Sequence, residues 1–264
     1  MRIDVLTLFP EVFQGPLSAS LLGKAIERGI LEVGLTDIRD FTADRHRTVD
    51  DAPYGGGAGM VMRCEPLFGA VESLRGVNSL GRVILMSPRG RRLDQRIVRE
   101  LAEAPDLVLI CARYEGVDER VSRMLCTDEI SVGDYVLSGG DLPALTLIEA
   151  VSRMLPGVVG DWESVATDSF YGGEGSPRGI LGPPQYTRPP EFRGTEVPHV
   201  LREGNHAAIA RWRRKEALRV TQTRRPDLLA DCSEEDLALL AEIESEDGAP
   251  HTQQQTGAGE EKEP

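Results

Sequence analysis

The chain has 264 residues, 40% of them apolar, which is enough for one large domain or two ordinary ones around a sizeable core. Its formal charge of −13 argues, taken alone, against a polyanionic partner. No apolar run nears the ~18 residues of a membrane helix, and the opening MRIDVLTLFP has neither the basic start nor the cleavage site of a secretory leader; the widely spaced Cys64, Cys111, Cys126 and Cys232 suggest no disulfide framework or zinc site, so a cytoplasmic protein with no membrane partner is expected.

In chain order, β-like runs (RIDVLTLF, LEVGLTDI, RVILMSP, LVLICARYEG, EISVGDYVL) alternate with helix-like ones (LSASLLGKAIERG, EPLFGAVESL, LDQRIVRELAEA, VDERVSRML, DLPALTLIEAVSRML). Such alternation predicts βαβ units, hence an α/β fold with a parallel sheet covered by helices, over residues 1–160. Between Pro156 and Pro198, Pro and Gly make up 15 of 43 residues, and a flexible linker is expected over 161–198. Beyond it, Asn205 is placed to cap a helix, Pro226 to stop it, and Ser-Glu-Glu-Asp at 233–236 to cap another, giving a small helical domain over 199–245. Residues 246–264 have little apolar to bury and read as a disordered acidic tail.

Charge is unevenly spread. Residues 211–225 carry seven basic side chains against Glu216, while residues 242–264 carry seven acids against Lys262. Setting the acidic end aside leaves a basic patch, with Arg211, Arg213, Arg214, Lys215 and Arg219 as candidate contacts to nucleic-acid phosphates. Tyr186 and Trp212 are aromatic surfaces near it, for stacking or for core packing.

No phosphate-binding GxxxxGK[ST] motif, no well-placed GxGxxG and no metal-ligand spacing among His46, His199, His206 and His251 occurs, which removes the best support for nucleotide hydrolysis and zinc catalysis. Instead, three Gly-bearing turns are expected just after strands: Ser87–Gly90, Arg113–Gly116 and Ser138–Pro143. Ligands of open α/β sheets sit beyond the carboxyl ends of the strands, so three such turns can line one pocket, although each glycine singly needs no more than a tight turn.

The stretches PYGGGAGMVM, SPRGRRLDQ, CARYEGVDERV, SVGDYVLSGGDLPALTLIEAVSRMLPGVVG, DSF and YTRPPEF resemble the bacterial tRNA (guanine-N1)-methyltransferases of the SPOUT class, collinearly from Met1 to about Glu244. The resemblance implies a deep trefoil knot, which sequence reasoning alone would not propose. It implies an obligate homodimer with shared active sites that uses S-adenosylmethionine, with magnesium, to methylate the guanosine immediately 3′ of the tRNA anticodon and so support reading-frame maintenance. Donor contacts carried over fall on Pro88 and Gly90, on Tyr114 and Gly116, and on Val132, Gly133, Tyr135, Leu137, Gly139, Gly140 and Pro143. The anticodon arm is the implied RNA partner. Fifteen residues separate DSF from YTRP here, a longer stretch than is usual in the family.

Guanine N1 holds a proton at neutral pH, so it attacks a sulfonium methyl only as that proton leaves, and a carboxylate of ordinary pKa ~3.9 is an available base. Family matching gives that part to Asp168, with Arg153 stabilising charge at O6 or orienting the base, and Glu115 at the guanine edge or near the donor's charge. Each residue has a plainer reading: Asp168 as a turn former, Arg153 as an ion-pair partner of Glu149 four residues earlier, Glu115 as a surface carboxylate. A nicotinamide-dependent oxidoreductase, disfavoured by the missing fingerprint, and a non-catalytic RNA-binding regulator are the rival readings.

Overall fold

Apolar runs bounded by turn residues suit strands covered on both faces, and five of them build the central sheet of the computed structural model, which describes residues 1–74, 81–172 and 179–247. The chain divides into two compact units, Met1–Ala166 and Thr167–Pro264. The first contains β1 (Arg2–Thr7), α1 (Glu11–Ser18), α2 (Ser20–Glu27), β2 (Glu32–Asp37), β3 (Asp50–Asp51), β4 (Val61–Met62), α3 (Cys64–Leu74), β5 (Arg82–Arg92), α4 (Gln95–Ala102), β6 (Asp106–Cys111), α5 (Glu119–Leu125), β7 (Asp128–Ser131), α6 (Asp141–Ser152) and α7 (Trp162–Ala166). The order across the sheet is β2-β1-β6-β5-β7, and all four pairings are parallel. The α/β class expected from the alternation is the class observed.

The two-residue period of a strand sorts the apolar runs between two cores. Ile3, Val5, Ile84, Met86, Leu107, Leu109 and Cys111 point to the face covered by α1, α2, α4 and α6. Leu6, Val83, Leu85, Val108 and Ile110 point to the face covered by α3 and α5. A one-residue slip of β5 or β6 would exchange these sets, so burial on both faces fixes the register.

Three local expectations change. The helix expected over 17–29 becomes α1 and α2: Pro16 has no N–H to donate, and the chain breaks at Ala19, with φ −109° and ψ 155°. The strand expected to run through Leu137 stops at Ser131, so Gly133, Tyr135 and Leu137 lie on the following loop. Ser87–Gly90 is no separate turn either: β5 runs on to Arg92, and both Met86 and Arg91 pair with Ile130, so the residues between them form a large bulge.

The second unit contains β8 (Glu191–Phe192), β9 (Thr195–Glu196), α8 (His206–Arg224) and α9 (Glu234–Asp247). Asn205 caps α8 by accepting from the Ala208 N–H at 3.2 Å, and the helix ends two residues before Pro226. Ser233 and Asp236 cap α9 reciprocally, each side chain accepting from the other's backbone N–H at 3.2 and 3.3 Å. Leu218, Leu239 and Ile243 form a small core with Ile180 packed against it, and the Leu181 N–H donates to Thr221 Oγ1 at 3.0 Å, so part of the Gly/Pro-rich stretch is bound to α8. Residues 173–178 of that stretch and 248–264 of the expected tail lie outside the described residues. Among the described residues no helix is long and apolar enough to cross a membrane.

Candidate active site

The bulge within β5 and the loops leaving β6 and β7 enclose a cleft of about 250 Å³ beside the carboxyl ends of β6 and β7. After β6 the chain turns sharply: Tyr114 takes φ +58°, Gly116 takes φ +120°, and the Gly116 N–H donates to Arg113 O at 3.0 Å. A residue other than glycine is strained at such a φ, and Tyr114 bears that strain at the cleft wall. After β7, the loop 132–140 returns to the end of β6, where the Gly140 N–H donates to Ala112 O at 2.8 Å. A Cβ on Gly140 would stand 2.8 Å from Cys111 Cα and 3.0 Å from Ala112 N. At Gly140 the approach is backbone against backbone, whereas a Cβ on Gly139 would stand 2.4 Å from Cδ of the Arg113 side chain, so each glycine of the pair before α6 has its own close neighbour.

Beneath this turn lies a support that the sequence reading missed. Asp141, in the first turn of α6 and 2% exposed, accepts from Thr7 Oγ1 and from Arg113 Nη2, each at 2.5 Å. The Arg113 guanidinium lies 4.4 Å from the centre of the Phe9 ring, and its Nη1 donates to Ser138 O at 3.4 Å. A buried carboxylate is tolerable when paired and when a helix N-terminus faces it, and Asp141 has both. The signal was available in principle: an acid directly after Gly-Gly and at the start of a helix. Burial, with Asp141 nearby, drives the Cys111 thiol well above its ordinary range, so it stays protonated and is no nucleophile for the cleft.

The cleft gathers every donor candidate but one. Pro88, Tyr114, Gly116, Val132 and Gly133 line it with Tyr135, Leu137, Gly139, Gly140 and Pro143, and Glu115 joins them. Gly90 does not line it: a Cβ there would meet Glu129 C and Ile130 N at 2.4 Å, so this glycine serves the close pairing of β5 with β7. Glu115 lies against Gly59, where a Cβ would stand 2.5 Å from its Cγ, and its N–H donates to Met60 O at 3.0 Å. Gly59 and Met60, just after the Pro-Tyr-Gly-Gly-Gly run, therefore meet the site through Glu115.

Arg153 is the C-cap of α6 and lines a different concavity, of about 610 Å³, with Pro16, Leu22, Leu145, Glu149 and Ala150. Asp168 is an exposed residue of the second unit, in a segment held to residues 180–182 by Phe170 N–H to Ile180 O at 3.0 Å and Gly182 N–H to Ser169 Oγ at 2.8 Å.

The basic patch is largely compensated. Arg211 pairs with Glu242, Arg214 with Asp236 through two bonds of 2.7 Å, Lys215 with Glu242 and Glu246, and Arg219 with Glu216 and Glu246. The net count over 211–225 overlooked α9, whose acids close that face of α8. Arg213 takes no part in these pairs.

Over residues 1–231 the sequence matches the family described as tRNA (Guanine-1)-methyltransferase TrmD. The chain belongs to that family. Membership makes it an enzyme, a methyltransferase, and the family's chemistry implies S-adenosylmethionine as methyl donor. Similar proteins named tRNA (guanine-N(1)-)-methyltransferase occur in Geobacter sulfurreducens (52% identical, covering 93% of this chain and 99% of the relative) and Dictyoglomus turgidum (53%; 93% and 98%). Another, from Moorella thermoacetica, is 54% identical over 94% of this chain and 98% of its own. Among the described residues no three His, Cys, Asp or Glu side chains group as a metal cage.

Proposed function

We propose that this chain methylates N1 of the tRNA guanosine immediately 3′ of the anticodon (position 37), using S-adenosylmethionine, as a cytoplasmic homodimer with active sites shared between subunits. Reading-frame maintenance would be the consequence. The observation that carries the reading is the glycine-walled cleft beside the carboxyl ends of β6 and β7, in a chain of this family.

The cleft suits such a donor. Val132, Leu137 and Pro143 give it apolar walls, Gly139 and Gly140 let backbone groups approach, and among the described residues no lysine lines it to hold a phosphate. Bound there, the donor would supply an electrophilic methyl on a sulfonium sulfur, its S–C electron pair staying on sulfur as the neutral thioether leaves. The chain's residues then have three tasks. Asp168 accepts the proton from guanine N1 as the N1 lone pair forms the new N–C bond and the methyl's bond to sulfur breaks. Arg153 faces O6, where negative charge gathers, or orients the base. Glu115, at the cleft and against Gly59, reads the guanine edge.

A second copy is needed for this assignment. Along α6, Arg153 follows Pro143 of the cleft by 153 − 143 = 10 residues, or ~15 Å, a span that an arginine side chain does not bridge. The concavity around Arg153 is lined chiefly by apolar side chains, as suits the centre of a subunit interface. The proposed knot is supported by the return of the loop 132–140 from β7 to the end of β6, where the Gly140 N–H donates to Ala112 O at 2.8 Å with β5 standing between the two strands in the sheet. Magnesium would be met through water or substrate phosphates, its usual partners, rather than by a cluster of the described side chains.

The test is transfer of labelled methyl to a tRNA transcript carrying G after the anticodon. Transfer should vanish when that G is changed to A, and transfer that persists would sink the assigned target. Sharing is tested by refolding Arg153→Ala chains together with Asp168→Ala chains: mixed dimers should regain a fraction of activity, and mixed dimers without activity would end the shared-site reading.

A further inference from the structure

Helix α8 has two differently used faces. Arg211, Arg214, Lys215 and Arg219 turn toward the acids of α9. Ile209, Trp212 and Arg213, at i, i+3 and i+4, form another stripe, which walls a cavity of about 340 Å³ entirely within the second unit. Tyr186, Arg188 and Arg202 close its other sides. The Tyr186 and Trp212 rings stand with centroids 6.2 Å apart at 57°, and Tyr186 is 46% exposed.

Its charge is unlike that of the chain. Among the described residues three arginines and no acid line the cavity, in a protein of net charge −13, and Arg211, Arg214, Lys215 and Arg219 nearby on α8 are paired. Arg202 reaches Glu196 at 3.1 Å, whereas neither Arg188 nor Arg213 is within ion-pair distance of an acid among the described residues. Two tilted aromatic faces, with guanidinium groups at the rim that meet no acid among the described residues, match a flat apolar ring carrying a phosphate. The volume lies within the ~300–1,000 Å³ usual for small-ligand sites.

We infer that this cavity takes one unpaired nucleotide of the RNA substrate, the base against Trp212 and Tyr186 and the phosphate between Arg188 and Arg213. This rests on the proposed RNA substrate, and it adds a contact remote from the reacting base. Stacking on aromatic side chains tolerates any base because every base has a π face, so the cavity would fix position and register rather than sequence.

Trp212 is one of two tryptophans, so in a full-length Trp162→Phe chain its emission reports the cavity alone. An anticodon stem-loop RNA should quench that emission, and a blunt duplex of equal length should not. Trp212→Leu should weaken binding about tenfold. Arg188→Gln and Arg213→Gln, surface changes that leave the apolar core intact, should each lower the log–log salt slope by about 1. Methyl transfer to the same stem-loop is measured in parallel. If the RNA binds and is methylated while Trp212 emission and both salt slopes stay unchanged, the inference is overturned and the methyltransferase reading stands. Quenching without methyl transfer would support the cavity and sink the other reading alone. Emission that shifts on dilution without RNA would mean that a second copy fills the cavity, which also overturns the inference.

Discussion

The cleft beside the carboxyl ends of β6 and β7 and the helical pair α8–α9 are built on opposite principles. The cleft is shaped by backbone: positive φ at Tyr114 and Gly116, and a glycine pressed onto the end of β6. The helical pair has only a small apolar core, Leu218, Leu239 and Ile243, and is laced by ion pairs between one basic and one acidic helix. A site made of backbone is specified by residues near one another in sequence. A surface made of charge is specified by partners that sequence leaves far apart, and the same arginine is a ligand contact or a structural strut according to what faces it.

The largest effect should come from the proposed base. Asp168→Ala is expected to lower kcat by at least ~10² while donor binding persists, because the carboxylate acts in the chemical step. Single-turnover methyl transfer beside calorimetric donor titration checks it, and retained turnover would remove Asp168 from the mechanism.

Next comes the turn itself. Gly140→Ala places a methyl 2.8 Å from Cys111 Cα, and backbone rather than a flexible side chain must give way. Donor affinity should fall at least ~10-fold, about 1.4 kcal/mol. Gly160→Ala, where no atom lies within 4 Å of the new carbon, is the matched control and should bind the donor normally. Equal behaviour of the two would show that the close approach at Gly140 does not shape the cleft.

What could be read from the chain follows this division. Alternating apolar runs gave the α/β class, and turn residues after strands pointed to one pocket, because both signals are local. Ser87–Gly90 was misread as a turn because four residues bulging from a continuing strand look the same in sequence as a strand end. Gly90 failed as a lining residue for the same reason: its need is close pairing with β7. The clamp of Thr7, Arg113 and Asp141 joins positions up to 134 residues apart, and no local pattern announces it. The patch at 211–225 was legible as charge but not as available charge, since its counter-ions lie on α9.

That last point can be broken experimentally. Asp236 is 4% exposed, accepts two bonds from Arg214 and caps α9, and these bonds, Arg214's foremost, hold its carboxyl below the usual range. Asp236→Ala should cost about 1–3 kcal/mol of stability in denaturant unfolding. On the other stripe, Arg213→Glu should leave stability nearly unchanged yet weaken RNA binding and flatten its salt dependence. If Arg211→Glu flattened the slope as much as Arg213→Glu, the two faces of α8 would not differ as their pairing implies.

The smallest effect sharpens the comparison inside the α/β unit, where, besides the Arg113–Asp141 pair beneath the cleft, a second ion-pair network lies outside the cleft lining. Arg91 and Arg82 hydrogen-bond Glu100 and hold its carboxyl down at about 2, against an ordinary 4.5. Both arginines also bond Asp128, so the network ties α4 to β5 and β7. A carboxyl depressed on folding contributes stability that is fully present above its unfolded value and is lost as pH falls through the folded one. The contribution should therefore fade between pH 4.5 and about 2. The Glu100 side chain is 41% exposed, so solvent screening keeps it at ~1 kcal/mol or less. Wild type and Glu100→Gln should differ by that constant amount above pH 4.5 and converge toward pH 2, with donor binding equal in both near neutrality. A difference that grew as pH fell would assign the acid sensitivity to other carboxylates.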